Sequence, residues 1–148
     1  MKFTTTALTS LLAAVSLAAP TPSPEVKSAM ANVEQWTIES MQRVCDSADT
    51  SCKWSFRVNT HVGNPTACSF TVKGSPASQT DSSGNICGPY TVGSGWSGQF
   101  GPGNGFTTLS VVNYGAKLIV WPAYTDKQLQ SGAVVTPDLS YAPTVLNF

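Results

Sequence analysis

The residues able to do chemistry are four cysteines at positions 45, 52, 68 and 87, one histidine, His61, and eight carboxylates. Nucleophilic catalysis needs a base beside a serine or cysteine. A lone histidine is mostly structural or exposed, and no G-x-S-x-G elbow occurs. Glycosidase-type chemistry needs two carboxylates about 5–10 Å apart across a cleft. The acids are Glu25, Glu34, Glu39, Asp46, Asp49, Asp81, Asp126 and Asp138. Glu34 and Glu39 are five apart and would face opposite sides of a strand. Asp46 and Asp49 fall between Cys45 and Cys52. Turn formation explains them better than a cation site, which needs more oxygen ligands. A lytic copper site would need histidine at the mature N-terminus, where Ala19 is expected instead. No enzymatic activity, cofactor or metal is expected on these grounds.

The cysteines lack the C-x-x-C spacing of a zinc site. An even count in a secreted chain reads as two disulfides, although four cysteines allow three pairings. Sequential pairing, Cys45–Cys52 and Cys68–Cys87, is expected because each bond then closes one local loop. Secretion itself is read from the N-terminus. Lys2 precedes an apolar run at Ala7–Ala18, with small residues at Ser16 and Ala18, the pattern of a signal peptide over residues 1–18. The run is too short to span a bilayer, and no second one follows.

Removing 18 of the 148 residues leaves 130, enough for one domain. Basic and acidic residues balance at 8 each, and charged residues make up only 11%. Nucleic acid and anionic lipid both require clustered Lys and Arg, so neither is an expected partner. Apolar residues at 41% and four tryptophans exclude disorder. The polar surface must then consist largely of Ser, Thr, Asn, Gln and Gly, which suits neutral polar partners. Asn64-Pro65-Thr66 has proline in the position that blocks N-glycosylation.

Residues 19–34 begin with three prolines and read as an extended arm; the fold is expected over 35–148. From there the period is two. Trp36 and Ile38, then Trp54, Phe56 and Val58, then Cys68, Phe70 and Val72 alternate with polar neighbours. Gly63-Asn64-Pro65 and Ser83-Gly84-Asn85 read as turns. Thr107–Val112 and Ala116–Trp121 predict a hairpin around Asn113-Tyr114-Gly115, with Pro122 ending its second strand. Val134-Val135 and Thr144–Leu146 are candidate last strands, and Asp126–Gln130 makes at most one helical turn. The expected fold is all-β: a compact antiparallel β-sandwich or small β-barrel, single domain, of seven to nine strands. Trp36, Trp54 and Trp121 are expected in its core.

Gly88–Phe106 stands apart, holding seven of the twelve glycines with Tyr90, Trp96, Phe100 and Phe106 among them. It reads either as a wide loop presenting its rings or as a bulged strand whose rings plug the end of a barrel. Burial is the commoner use of such rings. On the loop reading these four aromatics are the candidate partner-binding residues, with Trp96 the natural anchor.

The runs WTIESMQRVCDSADTSCKWSF, GPYTVGSGWSGQFGPGNGFTTLSVVN, LIVWPAYTDKQL and VVTPDLSYAP together resemble a family of fungal small secreted proteins labelled hypersensitive-response-inducing elicitors. The resemblance covers nearly the whole mature domain. More distantly the chain is similar to Alternaria-allergen-like β-barrel proteins, but its tight Cys45–Cys52 loop differs from their cysteine placement. Neither family supplies a catalytic motif. The resemblance implies a secreted elicitor or effector that triggers plant defence and hypersensitive cell death. Its partner would be a plant cell-surface or apoplastic component, met as a monomer. The alternatives are a binding module for neutral cell-wall glycan, with Trp96 as platform, and a small hydrolase using carboxylates.

Overall fold

A computed structural model of the protein describes residues 33–148. The expected signal peptide and residues 19–32 of the expected arm lie outside the described residues. Ten strands form two antiparallel sheets stacked as a sandwich. In the first, β1 (Trp36–Cys45), β2 (Ser51–Asn59), β3 (Thr66–Lys73) and β9 (Leu139–Tyr141) run in the order β3-β2-β1-β9. In the second, β4 (Ser82–Cys87), β5 (Tyr90–Ser97), β6 (Phe106–Asn113), β7 (Leu118–Val120) and β10 (Thr144–Val145) run in the order β10-β7-β6-β5-β4. β8 (Ala123–Thr125) pairs with the other half of β6.

The apolar spacing in β1 dictates its shape. Trp36 and Ile38 are two apart, but the next buried residue, Met41, is three beyond. A regular strand would turn Met41 to solvent. One extra residue between Glu39 and Gln42 breaks the register against β2, and Ser40 adopts φ 54° there. The freed Ser40 amide donates to Asp138 Oδ1 at 2.9 Å. Beyond this bulge the inward positions are odd-numbered, so Arg43 points into the sandwich.

β2 and β3 keep strict alternation, burying Trp54, Phe56 and Val58 against Cys68, Phe70 and Val72. Trp54 and Phe70 stack at 6.1 Å, and Trp36 meets Tyr90 of the opposite sheet edge-on at 5.5 Å. Both disulfides are the sequential pairs. Cys45–Cys52 closes the β1–β2 hairpin, and Cys68–Cys87 ties β3 to β4, edge strands of different sheets.

The structure departs from the sequence expectation at three places. Ser83-Gly84-Asn85 is a bulge inside β4 rather than a turn between strands. Asn85 Nδ2 holds it by donating to Ser82 Oγ and Val92 O. Val134-Val135 is no strand; Val135 N instead donates to Met41 O at 2.8 Å. Trp121 is not core. Pro122 interrupts the strand along β6, is itself fully buried, and offers its carbonyl to Leu109 N at 2.7 Å. That break turns Trp121 outward, leaving it 50% exposed. Thr125 then caps the single helical turn α1 (Asp126–Leu129) in a capping box with Gln128.

Candidate recognition surface

The bulge in β1 has its main consequence at the end of the sandwich where α1 sits. Arg43 brings a guanidinium into the interior with only 7% of its side chain exposed. A charge so placed must be compensated. Asp126 Oδ1 lies 3.4 Å from Nη1, Nη1 also donates to Ser78 O at 3.3 Å, and the guanidinium stands 5.5 Å from the Trp54 ring centre. The second oxygen of Asp126 accepts the indole N–H of Trp96 at 2.9 Å. Its amide donates to Gly105 O, while the Trp96 amide donates to Asp81 Oδ1. Asp126 of α1 thus joins β1 and β5 through its carboxylate and the loop at residues 98–105 through its amide.

That loop explains the glycines. A Cβ on Gly98 would stand 2.5 Å from Trp96 Cη2, and one on Gly105 would stand 2.8 Å from Nε1 and meet the Asp126 carboxylate. The indole lies against bare backbone at both ends of the loop, so these glycines cradle it. The segment Gly88–Phe106 is therefore neither a wide loop nor a barrel plug. Its first half is strand β5, and only residues 98–105 form a loop.

The four expected partner-binding aromatics separate accordingly. Tyr90 is 5% exposed against Trp36, and burial raises its phenol above the ordinary range, so it offers no surface. Trp96 is pinned and partly buried. Phe106 is half-buried and stacks at 5.7 Å under Phe100. Phe100 alone of the four is displayed, 66% exposed at the loop tip. A cavity of about 290 Å³ opens between the loop and Trp96, lined also by Gln79, Pro102 and Asp126.

The carboxylates are occupied in ways the sequence did not disclose. Glu39 takes Arg57 and Asn59; Asp46 accepts three hydrogen bonds within its own turn; Asp49 accepts both donors of Ser78; Asp138 holds the Ser40 amide. The Thr50 hydroxyl, then the Thr50 and Ser51 amides, keep the Asp46 carboxyl below its usual range. Asp49 also lies beside Cys45 and Cys52, but those sulfurs are bonded to each other and provide no thiolate for a metal. His61 sits in a loop at φ 63° with Nε2 on Thr37 Oγ1. Arg43 was missed in the sequence; its only signal is the three-residue step from Ile38 to Met41.

A family model described as Effector TSP1 matches residues 37–147, a span containing both disulfides and the whole Arg43–Asp126–Trp96 corner. A protein named Effector TSP1 from Hypocrea virens is 51% identical over 148 residues, covering 99% of each chain. With the sandwich and its loop on the same span, the chain belongs to the Effector TSP1 family, a family of fungal effectors.

Proposed function

We propose that this protein is a secreted fungal effector that plants meet in the apoplast and answer with defence and hypersensitive cell death, and that it acts by surface recognition rather than catalysis. Family membership over residues 37–147 is the observation that carries the reading. The geometry supports the recognition part. Glu39, Asp46, Asp49, Asp81, Asp126 and Asp138 each carry a structural partner, which leaves them poorly placed to trade protons with a substrate. Two disulfides suit a protein that must persist outside the cell. Residues 1–18 act as the signal peptide in this reading, and the plant component binds at the loop tip around Phe100.

Leaf infiltration with purified mature protein tests it, alongside reduced and heat-unfolded samples. Necrosis or defence-gene induction should require the folded protein, weaken in Phe100→Ala and persist in Asp138→Asn and His61→Ala. Loss of the response in a folded carboxylate variant, with Phe100→Ala fully active, would return the protein to the hydrolases.

A further inference from the structure

The outer face of the second sheet carries a trough that the effector reading does not use. It has a volume of about 250 Å³ and crosses β4, β5 and β6. Trp121 forms one wall, and Gly93 and Gly95 lie in the floor, with Ser83, Thr108 and Ser110 around them. Among the described residues no charged side chain lines it. We propose that this trough is a binding site for a neutral polysaccharide, with Trp121 as the stacking platform.

Three observations point to that ligand chemistry. Trp121 is held outward by its buried neighbour Pro122, so half the indole stays in water without collapsing onto the sheet. An exposed ring anchored by a buried, hydrogen-bonded neighbour can stack on the apolar C–H face of a pyranose with little ordering cost. The hydroxyls of Ser83, Thr108 and Ser110 have no hydrogen-bond partner among the described residues, which leaves donors and acceptors free beside the ring. The third observation is the contrast between the two floor glycines. A Cβ on Gly93 would come within 2.9 Å of Ser110 Oγ and 3.3 Å of Ser82 O, so close packing of the bulged β4 requires glycine there. A Cβ on Gly95 would meet only Asp81 Oδ1, at an ordinary 3.9 Å. Packing does not demand glycine at 95, although glycine weakens a strand interior. A flat floor open to a closely approaching ligand gives it a purpose. An uncharged, hydroxyl-bordered groove favours a neutral glycan over an acidic one, and over an apolar peptide, which would leave the hydroxyls unpaired.

Affinity electrophoresis of the mature protein tests the site, in gels containing laminarin, soluble arabinoxylan or, as the anionic comparison, polygalacturonate. Retardation is expected in at least one neutral gel and not in polygalacturonate. Trp121→Ala should weaken it about tenfold or more, the usual result of truncating an aromatic anchor. Gly95→Val, which fills the floor, should abolish it, with near-ultraviolet circular dichroism confirming the fold. Phe100→Ala, outside the trough, should bind like the wild type, so failure here and failure of the leaf assay are separable. Mobility unchanged in both neutral gels, retardation that survives Trp121→Ala, or stronger retardation by polygalacturonate would overturn the proposal.

Discussion

Trp96 and Trp121 stand on the same sheet and have opposite roles. Trp96 comes from a glycine-rich run that reads either as a display loop or as a bulged strand with buried rings; its N–H is bonded to Asp126 and its ring lies against Gly98 and Gly105. Trp121 ends an apolar run that reads as core, yet it is 50% exposed. Glycines around an aromatic can make room for the ring to settle as readily as they free it. A proline just after a tryptophan at the end of a strand can expel the ring it follows. What decides between the outcomes is a polar partner for the indole and the space beside it, neither of which is a property of local composition.

If the Trp96 corner is structural, damage beneath it should be the most costly. Trp54 is 3% exposed between Phe70 and the Arg43 guanidinium. Trp54→Ala should lose about 3–5 kcal/mol in denaturant unfolding; a loss under about 1 kcal/mol would mean that the corner is not packed as described.

Asp126→Asn keeps the shape of the corner but leaves the Arg43 charge without its counter-ion. Removing one partner of a fully buried pair costs about 3–5 kcal/mol, and the partial exposure of Asp126 should reduce this to about 2 kcal/mol. An unchanged unfolding midpoint would show that the ion pair does not hold the corner.

The wall behind Trp96 predicts an alkaline weakness. Thr107 pairs across the sheet with Trp96 on one side and Tyr124 on the other. Burial, with Tyr141 close by, pushes the Tyr124 phenol far up, and burial also raises Tyr141 and Tyr90. Phenols raised above their unfolded value of about 10 contribute stability that is complete below pH 10 and lost as pH climbs beyond it. Absorbance at phenolate wavelengths should therefore show these three ionising together with unfolding. Reversible ionisation of all the tyrosines in the folded protein would contradict their burial.

On the Trp121 side the expected cost is small. Trp121→Ala should change stability by less than about 0.5 kcal/mol, as at an ordinary surface position. A loss above about 1.5 kcal/mol would mean that the ring is part of the packing after all.

Much of the fold was legible because half-buried strands announce themselves by alternation. Trp54-Phe56-Val58 and Cys68-Phe70-Val72 each lie on one inward face, and the disulfides follow from local loop closure. What escaped the sequence were the irregularities. The bulge at Ser40 shifts the parity of β1 and sends Arg43 inward; the bulge at Ser83–Asn85 resembles a turn because it uses turn residues. The corner joins residues 43, 96 and 126, far apart in the chain, through one carboxylate. No local pattern encodes such a meeting. Phe100 is exposed at the loop tip, as the loop reading expects of it, whereas Tyr90 is buried because the strand extends further into the glycine run than its composition suggests.

The most direct test of the contrast is iodide quenching of tryptophan fluorescence in the wild type, Trp96→Phe and Trp121→Phe. Trp36 and Trp54 are buried, Trp96 is pinned, and Trp121 faces water. Most of the quenchable emission should be lost in Trp121→Phe and retained in Trp96→Phe. Quenching that disappears with Trp96 and persists without Trp121 would reverse the assignment of pin and surface on which the account rests.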